Sequence, residues 1–501
     1  MSEQKRDAID IVNEIVNSKA MLFHDQYKTA FIAPEGNGAE VMRINSADFK
    51  SWLSGKIWKD YNDAATPATI TNVIQTLTGV ALYENRQKEL SVRTSFDGEK
   101  LWYDCGEAVL EIDKNGWFIN EKPPVKFRRY SHQKDQYMPE DGGNIHDLVN
   151  FVNLKNNDDI LLFLVFTVSA FLPGFPHPIL VLHGPQGAGK STPMRIIKEL
   201  VDPSAIQGVA APKELAHFAQ TANHHSVLMF DNLSAMPTWL SDALARASTG
   251  DGFSKRVLYT DDDDMVFKIQ KVIMLNGINQ VITKADLLDR SILLAVKRIE
   301  TSQRIPEDEF WKNFNEQRSL ILGSIFNVIS KAMEIYPTVQ LDNLPRMADF
   351  AKWGYAIAEA IGHKGIDFIE AYSKNIDKQN EEAIEASPVA QAIIEYMSDK
   401  NEWADTSANL LQQLNRISTF NDLKNSMLWP KDPQWLSKRL NEIEPNLLPR
   451  GISFRKYIND SRRIIHLTNE NLKRENSHTV EYDEIMSPSS VEQSIIDFMK
   501  Q

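Results

Sequence analysis

The sequence predicts a multidomain α/β protein: a P-loop nucleotide-binding core between an N-terminal α+β domain and a C-terminal winged-helix domain. Three stretches carry that expectation. The apolar run Ile179-Leu180-Val181-Leu182 breaks into GPQGAGKS and continues as the helical pattern MRIIKELV, which reads as strand, glycine-rich loop and helix. Further on, Val227-Leu228-Met229-Phe230 reads as a buried strand with Asp231 at its end. Towards the C-terminus, three helical stretches precede two short strand patterns, the element order of a winged helix. With 501 residues the chain is too long for one hydrophobic core, so several domains are expected.

Composition narrows the class. A net charge of −13 argues against a wholly basic nucleic-acid coat but leaves room for local basic patches. The single cysteine, Cys105, permits neither an internal disulfide nor a cysteine zinc site; it reads as a small buried hydrophobe in a reducing compartment. The start MSEQKRDAIDIVNEIV has no signal-peptide core. The longest apolar run, 160–172, is shorter than a membrane span and stops at Pro173-Gly174, so it reads as a buried helix beside the core. A cytoplasmic protein with no membrane partner is expected.

In chain order, 1–144 is the N-terminal α+β domain. Residues 49–61 and 68–83 read as helices, and 90–96, 100–103, 108–112 and 117–119 as short strands separated by DG and NG turns. Lys126, Arg128 and Arg129, beside Phe127 and Tyr130, fit either a solvated strand edge or a nucleic-acid backbone contact. No metal-ligand spacing and no catalytic primase motif is found here. Residues 145–177 form a helical linker or collar.

Residues 178–305 are the nucleotide core. Gly184, Pro185, Gln186, Gly187, Ala188, Gly189, Lys190, Ser191 and Thr192 make up the candidate ATP-binding loop. Its glycines let backbone N–H groups turn inward at a helix N-terminus, where the helix dipole also favours anions. Lys190 would reach the β/γ-phosphates and Ser191 would ligate Mg²⁺. After a short strand at 205–209 and a helix at 212–222, Asp231 sits at a strand end, placed to hold Mg²⁺ or its water. Many related ATPases carry a second acid next; here Asn232 can orient water but cannot accept its proton. A helix at 236–247 leads to two strands joined by an acidic turn, then to the strand 271–275 ending at Asn276. Asn276 occupies the sensor position of the wider ATPase class, where an amide can hold the attacking water. Arg290 precedes the last strand, 292–296; it reads either as a surface salt-bridge residue or as the finger that ring-forming ATPases extend to a neighbour's γ-phosphate.

The motif order across 178–296 resembles the superfamily 3 helicases of phages, viruses and plasmids, within the AAA+ ATPases. More closely, it resembles the "ATP-binding protein" group of mobile elements often attached to replication primases. The matching stretches are GPQGAGKST, the DPS after the helix, FDNLS followed by WLSDAL, TGDGFSKRVLYTDDDD, LNGI and DLLDRSI. The resemblance implies an AAA+ core using ATP and Mg²⁺. It further implies a homo-oligomeric ring, a hexamer, that pulls single-stranded DNA through its pore. Lys190, Ser191 and Asp231 would then hold ATP–Mg²⁺, Asn276 would sense the γ-phosphate, and Arg290 would act in trans.

Two departures qualify this. Asn232 replaces the expected acid. Four aspartates, 261–264, stand at the hairpin turn and would repel phosphates, which leaves Lys255, Arg256, Lys268 and Lys271 on its flanks as DNA or subunit contacts. Priming would need a separate primase or replication protein.

Residues 306–375 read as a helical lid or bundle, and the polar stretch 376–387 as a linker. The winged helix spans 388–470, with helices at 389–397 and 406–414 and a third opened by Asp432-Pro433. Lys438 and Arg439 lie on that third helix, and Arg455, Lys456, Arg462 and Arg463 on the wing. This concentration suits duplex DNA, or alternatively a protein partner. Residues 471–501 read as a flexible tail with a short helix near 491–499. The leading function is an ATP-dependent DNA helicase or translocase of a mobile element's replication module. The alternative is a DNA-associated regulatory or defence ATPase that switches assembly without unwinding. A small-molecule P-loop kinase fits the loop but leaves Arg290 and the winged helix unexplained.

Overall fold

The computed structural model describes residues 7–34, 41–85, 87–233, 236–256, 264–277, 285–300, 302, 304–385, 387–417, 429–459 and 462–473. It divides into two compact units, Met1–Val281 with Arg290–Ser373, and Ile282–Asp289 with Lys374–Gln501.

The first unit begins with the helix Ala8–Asn17. Its Asp7 cap accepts the Ala8 N–H, while the Asp10 carboxylate accepts the Asp7 N–H. This helix, with Ala47–Tyr61 and Pro67–Tyr83, shares an apolar core with the antiparallel strands Met21–His24, Ala30–Ala33 and Met42–Arg43. A four-stranded antiparallel meander follows: Thr94–Phe96, Leu101–Asp104, Val109–Asp113 and Gly116–Ile119. The strand expected over 90–96 is broken at Arg93, which takes φ +65. Its buried guanidinium donates to the carbonyls of Asp104, Lys134 and Pro203, and that recruitment bends the backbone out of the strand. Leu90–Ser91 pairs instead with Lys126–Phe127, in parallel. Cys105 is buried, which pushes its thiol up to about 12.

The centre of the first unit is a parallel sheet in the order Val227–Leu233, Val272–Gly277, Ile179–His183, Ser291–Ala295. Strands covered on both faces read as continuous apolar runs, which explains ILVL, VLMF and VIML. The helix Asn157–Ser169 is buried from Leu161 to Ser169 and packs on Ala348–Ala360. Ahead of it, the expected helical stretch is a 3₁₀ segment, Ile145–Phe151. The strand expected at 205–209 reduces to one parallel bridge, Val209 to Phe230. The hairpin Gly252–Arg256 with Asp264–Lys268 pairs Gly252 with Lys268 and Lys255 with Met265; the turn at 257–263 lies outside the described residues.

The linker expected at 376–387 is replaced by helix. Gly365–Glu385 runs through most of it, and Asn375, Gln379, Ala383 and Ile384 are buried. Glu, Gln, Lys and Ala favour helix, and polarity alone hid a buried stripe of four-residue spacing.

The second unit combines the helices Pro388–Met397, Ser407–Arg416 and Pro433–Leu447 with an antiparallel sheet in the order Glu402–Thr406, Arg462–Asn469, Ile452–Asn459. They enclose one apolar cluster that includes Ile393, Leu414, Leu440 and Leu467. The strand Glu402–Thr406 has no counterpart in the sequence-based reading. The tail beyond Lys473, with its expected helix, lies outside the described residues. Among the described residues, no helix is long and apolar enough to cross a membrane.

Candidate functional site

At the C-terminal end of Ile179–His183 the chain turns through Gly184–Lys190 into the helix Ser191–Val201. The turn needs its glycines. A Cβ at Gly184 would stand 2.7 Å from the Val296 carbonyl oxygen, and Gly189 takes φ +72. Pro185, Gln186 and Gly187 are exposed, whereas Ala188 is buried and anchors the loop. The helix's N-cap residue, Lys190, makes no side-chain capping hydrogen bond. Lys190 Nζ instead donates to the loop's own carbonyls, Gly184 at 3.0 Å and Pro185 at 3.1 Å.

Three strand ends converge beside this loop. Ser191 Oγ donates to Asp231 Oδ1 at 2.8 Å and accepts from Asn276 Nδ2 at 3.2 Å. Asn276, 2% exposed, also accepts the Asn232 backbone N–H on Oδ1 at 2.6 Å. Asn232 takes φ +58 where the register between Val227–Leu233 and Val272–Gly277 shifts, so Asn276 secures an otherwise unfavourable backbone turn. The Asn232 side chain is exposed. Lys190, Ser191, Asp231, Asn232 and Asn276 therefore surround one loop mouth. Hard oxygens from Ser191 and Asp231 suit a small divalent cation, and an uncapped helix N-terminus with a lysine suits an anion.

Arg290 stands elsewhere. It precedes Ser291, which pairs with Ile179, so it occupies the opposite end of the sheet from Lys190. Its carbonyl accepts the Ile179 N–H, and Nη1 lies 3.4 Å from both the Ala245 carbonyl and Thr249 Oγ1. Of the hairpin candidates, the Lys255, Arg256 and Lys268 side chains lie outside the described residues. Lys271 is half-buried ahead of Val272–Gly277, and burial pushes its ammonium down to about 8.

The basic residues of the second unit divide by partner. Lys456 Nζ donates to the Ser437 carbonyl and Asn441 Oδ1, and Arg439 pairs with Glu442 at 2.8 Å. Both are occupied in positioning. Lys438, Arg455, Arg462 and Arg463 are exposed. In the N-terminal region Arg129 is likewise engaged by Asp104 at 2.6 Å, so a solvated strand edge describes it poorly.

The far end of the helix Ser191–Val201 is clamped by residues that no motif marked. Gln136 Nε2 donates to the Glu199 and Leu200 carbonyls, Tyr103 OH to those of Leu200 and Val201, and Arg318 to Glu199. Beside them Asp202, fully buried, accepts from Lys198 Nζ at 2.7 Å and lies 3.5 Å from Arg93 Nε. Burial alone would raise its carboxyl, but Lys198 and Arg93 outweigh that and hold it below the usual range. His225 Nδ1 lies 3.2 Å from Lys198 Nζ, and burial with Lys198 pushes the imidazole down to about 3. The helix that starts at the loop thus ends in a rigid seam with the N-terminal strands.

Residues 145–382 match the family described as the actinomycete integrative conjugative element replication protein, AICE RepA. Residues 389–481 match the AICE RepA C-terminal domain. No curated protein matches the sequence. Among solved structures, the apo A form of the NrS-1 C-terminal region is 10% identical, covering 93% of this chain and 100% of that chain at a TM-score of 0.40. A ligand-bound JCV helicase is 11% identical, covering 42% of this chain and 68% of that chain at a TM-score of 0.21.

Proposed function

We propose, from the match of residues 145–382 and 389–481 to the AICE RepA replication-protein models, that the chain is an ATP-driven, ring-forming DNA helicase or translocase of a mobile element. The observation that carries the proposal is the Ser191 hydroxyl shared between Asp231 and Asn276 at the mouth of the glycine loop. In this reading Gly184–Thr192 is a P-loop within an AAA+ core, and the second unit's helices and sheet are a winged helix.

ATP phosphates would take the loop N–H groups, with Lys190 leaving its own carbonyls for the β/γ-phosphates. The oxygen donors of Ser191 and Asp231 fit Mg²⁺, which when bound neutralises charge developing on the phosphates. Asn276 orients Asn232 and, with it, the water side of the site. Arg290 lies a five-residue strand away from the loop end, about 16 Å along the sheet, too far for its own nucleotide. That separation supports a role at the neighbouring subunit's γ-phosphate in a ring. Lys438, Arg455, Arg462 and Arg463 remain candidates for duplex contact.

Asn232, standing where an acid would serve as base, favours a second reading: an ATPase that switches assembly without unwinding. ATP hydrolysis and strand displacement on a forked duplex, measured together, separate the two. The helicase reading expects both from the wild type and neither from a folded Lys190→Ala variant. Hydrolysis without displacement supports the switch. Wild-type rates from Lys190→Ala would refute both.

A further inference from the structure

At the end of the parallel sheet away from Lys190, a cleft of about 960 Å³ opens between the N-terminal strands and the strand starts. One wall carries Lys88, Lys126 and Arg128, around the parallel pair Leu90–Ser91 with Lys126–Phe127. The floor carries Lys271, beside Asn223 and Ser226. Arg128 lies over two rings, its guanidinium carbon 4.8 Å from the Tyr130 ring centre and 5.6 Å from that of Phe31.

Cations outnumber acids on the lining: Arg43, Lys88, Lys126, Arg128 and Lys271 stand against Asp25, Glu89 and Asp97. Of those acids, Asp25 is buried with one carboxylate oxygen accepting the N–H groups of Tyr27 and Thr29, Asp97 accepts the N–H groups of Glu99 and Lys100, and Glu89 is exposed. Among the described residues, no carboxylate lies within ion-pair distance of Lys88, Arg128 or Lys271. Crowding shows in their chemistry. Burial and neighbouring Lys88 push the Lys126 ammonium down, and burial, Arg128, His132 and Lys271 together keep His224 at about 4. Half-buried like charges around one concavity cost free energy that a bound polyanion would recover. Tyr27 and Phe96 add aromatic surface to the same cleft, the pairing of cations with flat rings that holds single strands. The volume lies at the top of the range for single small-molecule pockets, roughly 300–1,000 Å³, which leaves room for more than one nucleotide.

We propose that this cleft binds the phosphodiester backbone of single-stranded nucleic acid, at a site separate from the Gly184–Thr192 loop and independent of whether the chain unwinds DNA. Lys88, Arg128 and Lys271 hold phosphates, and Tyr27 and Phe96 receive bases.

The test is fluorescence anisotropy of a labelled oligothymidine with the full chain over a salt series, without ATP. The Lys88→Gln, Lys271→Gln double variant should bind about tenfold more weakly. Its log–log salt slope should be shallower by about 1.4, at roughly 0.7 per lost contact on a single strand, with an unchanged unfolding midpoint. Should the double variant fold poorly, Lys88→Gln alone is expected to lose about half that slope change. Wild-type affinity and slope in the folded variants would overturn the proposal. So would thymidine monophosphate that binds as tightly as the oligonucleotide with the same sensitivity to both substitutions, which would mark a mononucleotide pocket. An equal loss for a blunt duplex would also count against a single-strand site.

Discussion

Substituting Asp202→Asn isolates the seam at the end of the loop's helix. One carboxylate oxygen of Asp202 accepts from Lys198 at 2.7 Å, Ser226 N–H at 2.9 Å and Val227 N–H at 3.3 Å; the other faces Arg93 Nε and Gln133 Nε2, each at 3.5 Å. Asparagine can keep only one of these faces as acceptor. Its NH₂ would then meet the Arg93 and Gln133 donors, and Lys198, 1% exposed, would lose its counter-charge. Breaking a buried pair by removing one partner costs about 3–5 kcal/mol. In urea unfolding followed by tryptophan fluorescence, that should lower the first unit's midpoint by about 1 M or more. Adding Lys198→Met removes the stranded ammonium, so the double variant should be more stable than Asp202→Asn alone. A single variant within about 1 kcal/mol of wild type would refute the reasoning, because the charge would then have another route to solvent.

Two further outcomes follow from the same geometry. The His225 imidazole titrates at about 3 in the fold against about 6.5 when unfolded, so its stabilising contribution is complete above pH 6.5 and is lost as the pH falls towards 3. At pH 5 the loss is about 2 kcal/mol, and a urea midpoint that falls from pH 7 to pH 5 in wild type but less in His225→Gln would show it. Asn276→Ala strands the Asn232 N–H and loosens Ser191, which should lower kcat about 10²-fold, the scale of one lost electrostatic donor, with little change in KM. A KM effect alone would mean that Asn276 only shapes ground-state binding.

The loop and strand ends were legible in the sequence because their chemistry dictates residue types at fixed spacing. GPQGAGKS needs glycines where side chains would collide, and buried strands reveal themselves as apolar runs that stop at Asp231 or Asn276. What joins them was not legible: the Asn232 to Asn276 bond links positions 44 residues apart, and its motive is a backbone angle. Arg93 reads as one polar position of a strand and Asp202 as part of the DPS stretch, and their pairing was hidden because only tertiary structure brings the Arg93 guanidinium to the Pro203 carbonyl 110 positions away. Polarity misled again over 376–385, where Gln379, Ala383 and Ile384 are buried in a helix. Basic residues look alike in sequence, and only their partners separate Lys456 and Arg129, both engaged, from exposed Lys438 and Arg463.

The central claim, an ATP site completed by Arg290 of a neighbouring chain, is tested most directly by subunit mixing. Lys190→Ala and Arg290→Ala chains should each be inactive alone. Mixed in equal amounts, about one interface in four pairs an intact loop with an intact arginine, so about a quarter of wild-type ATP hydrolysis should return if sites act independently. An equal mixture that stays as inactive as its parents would contradict a shared site.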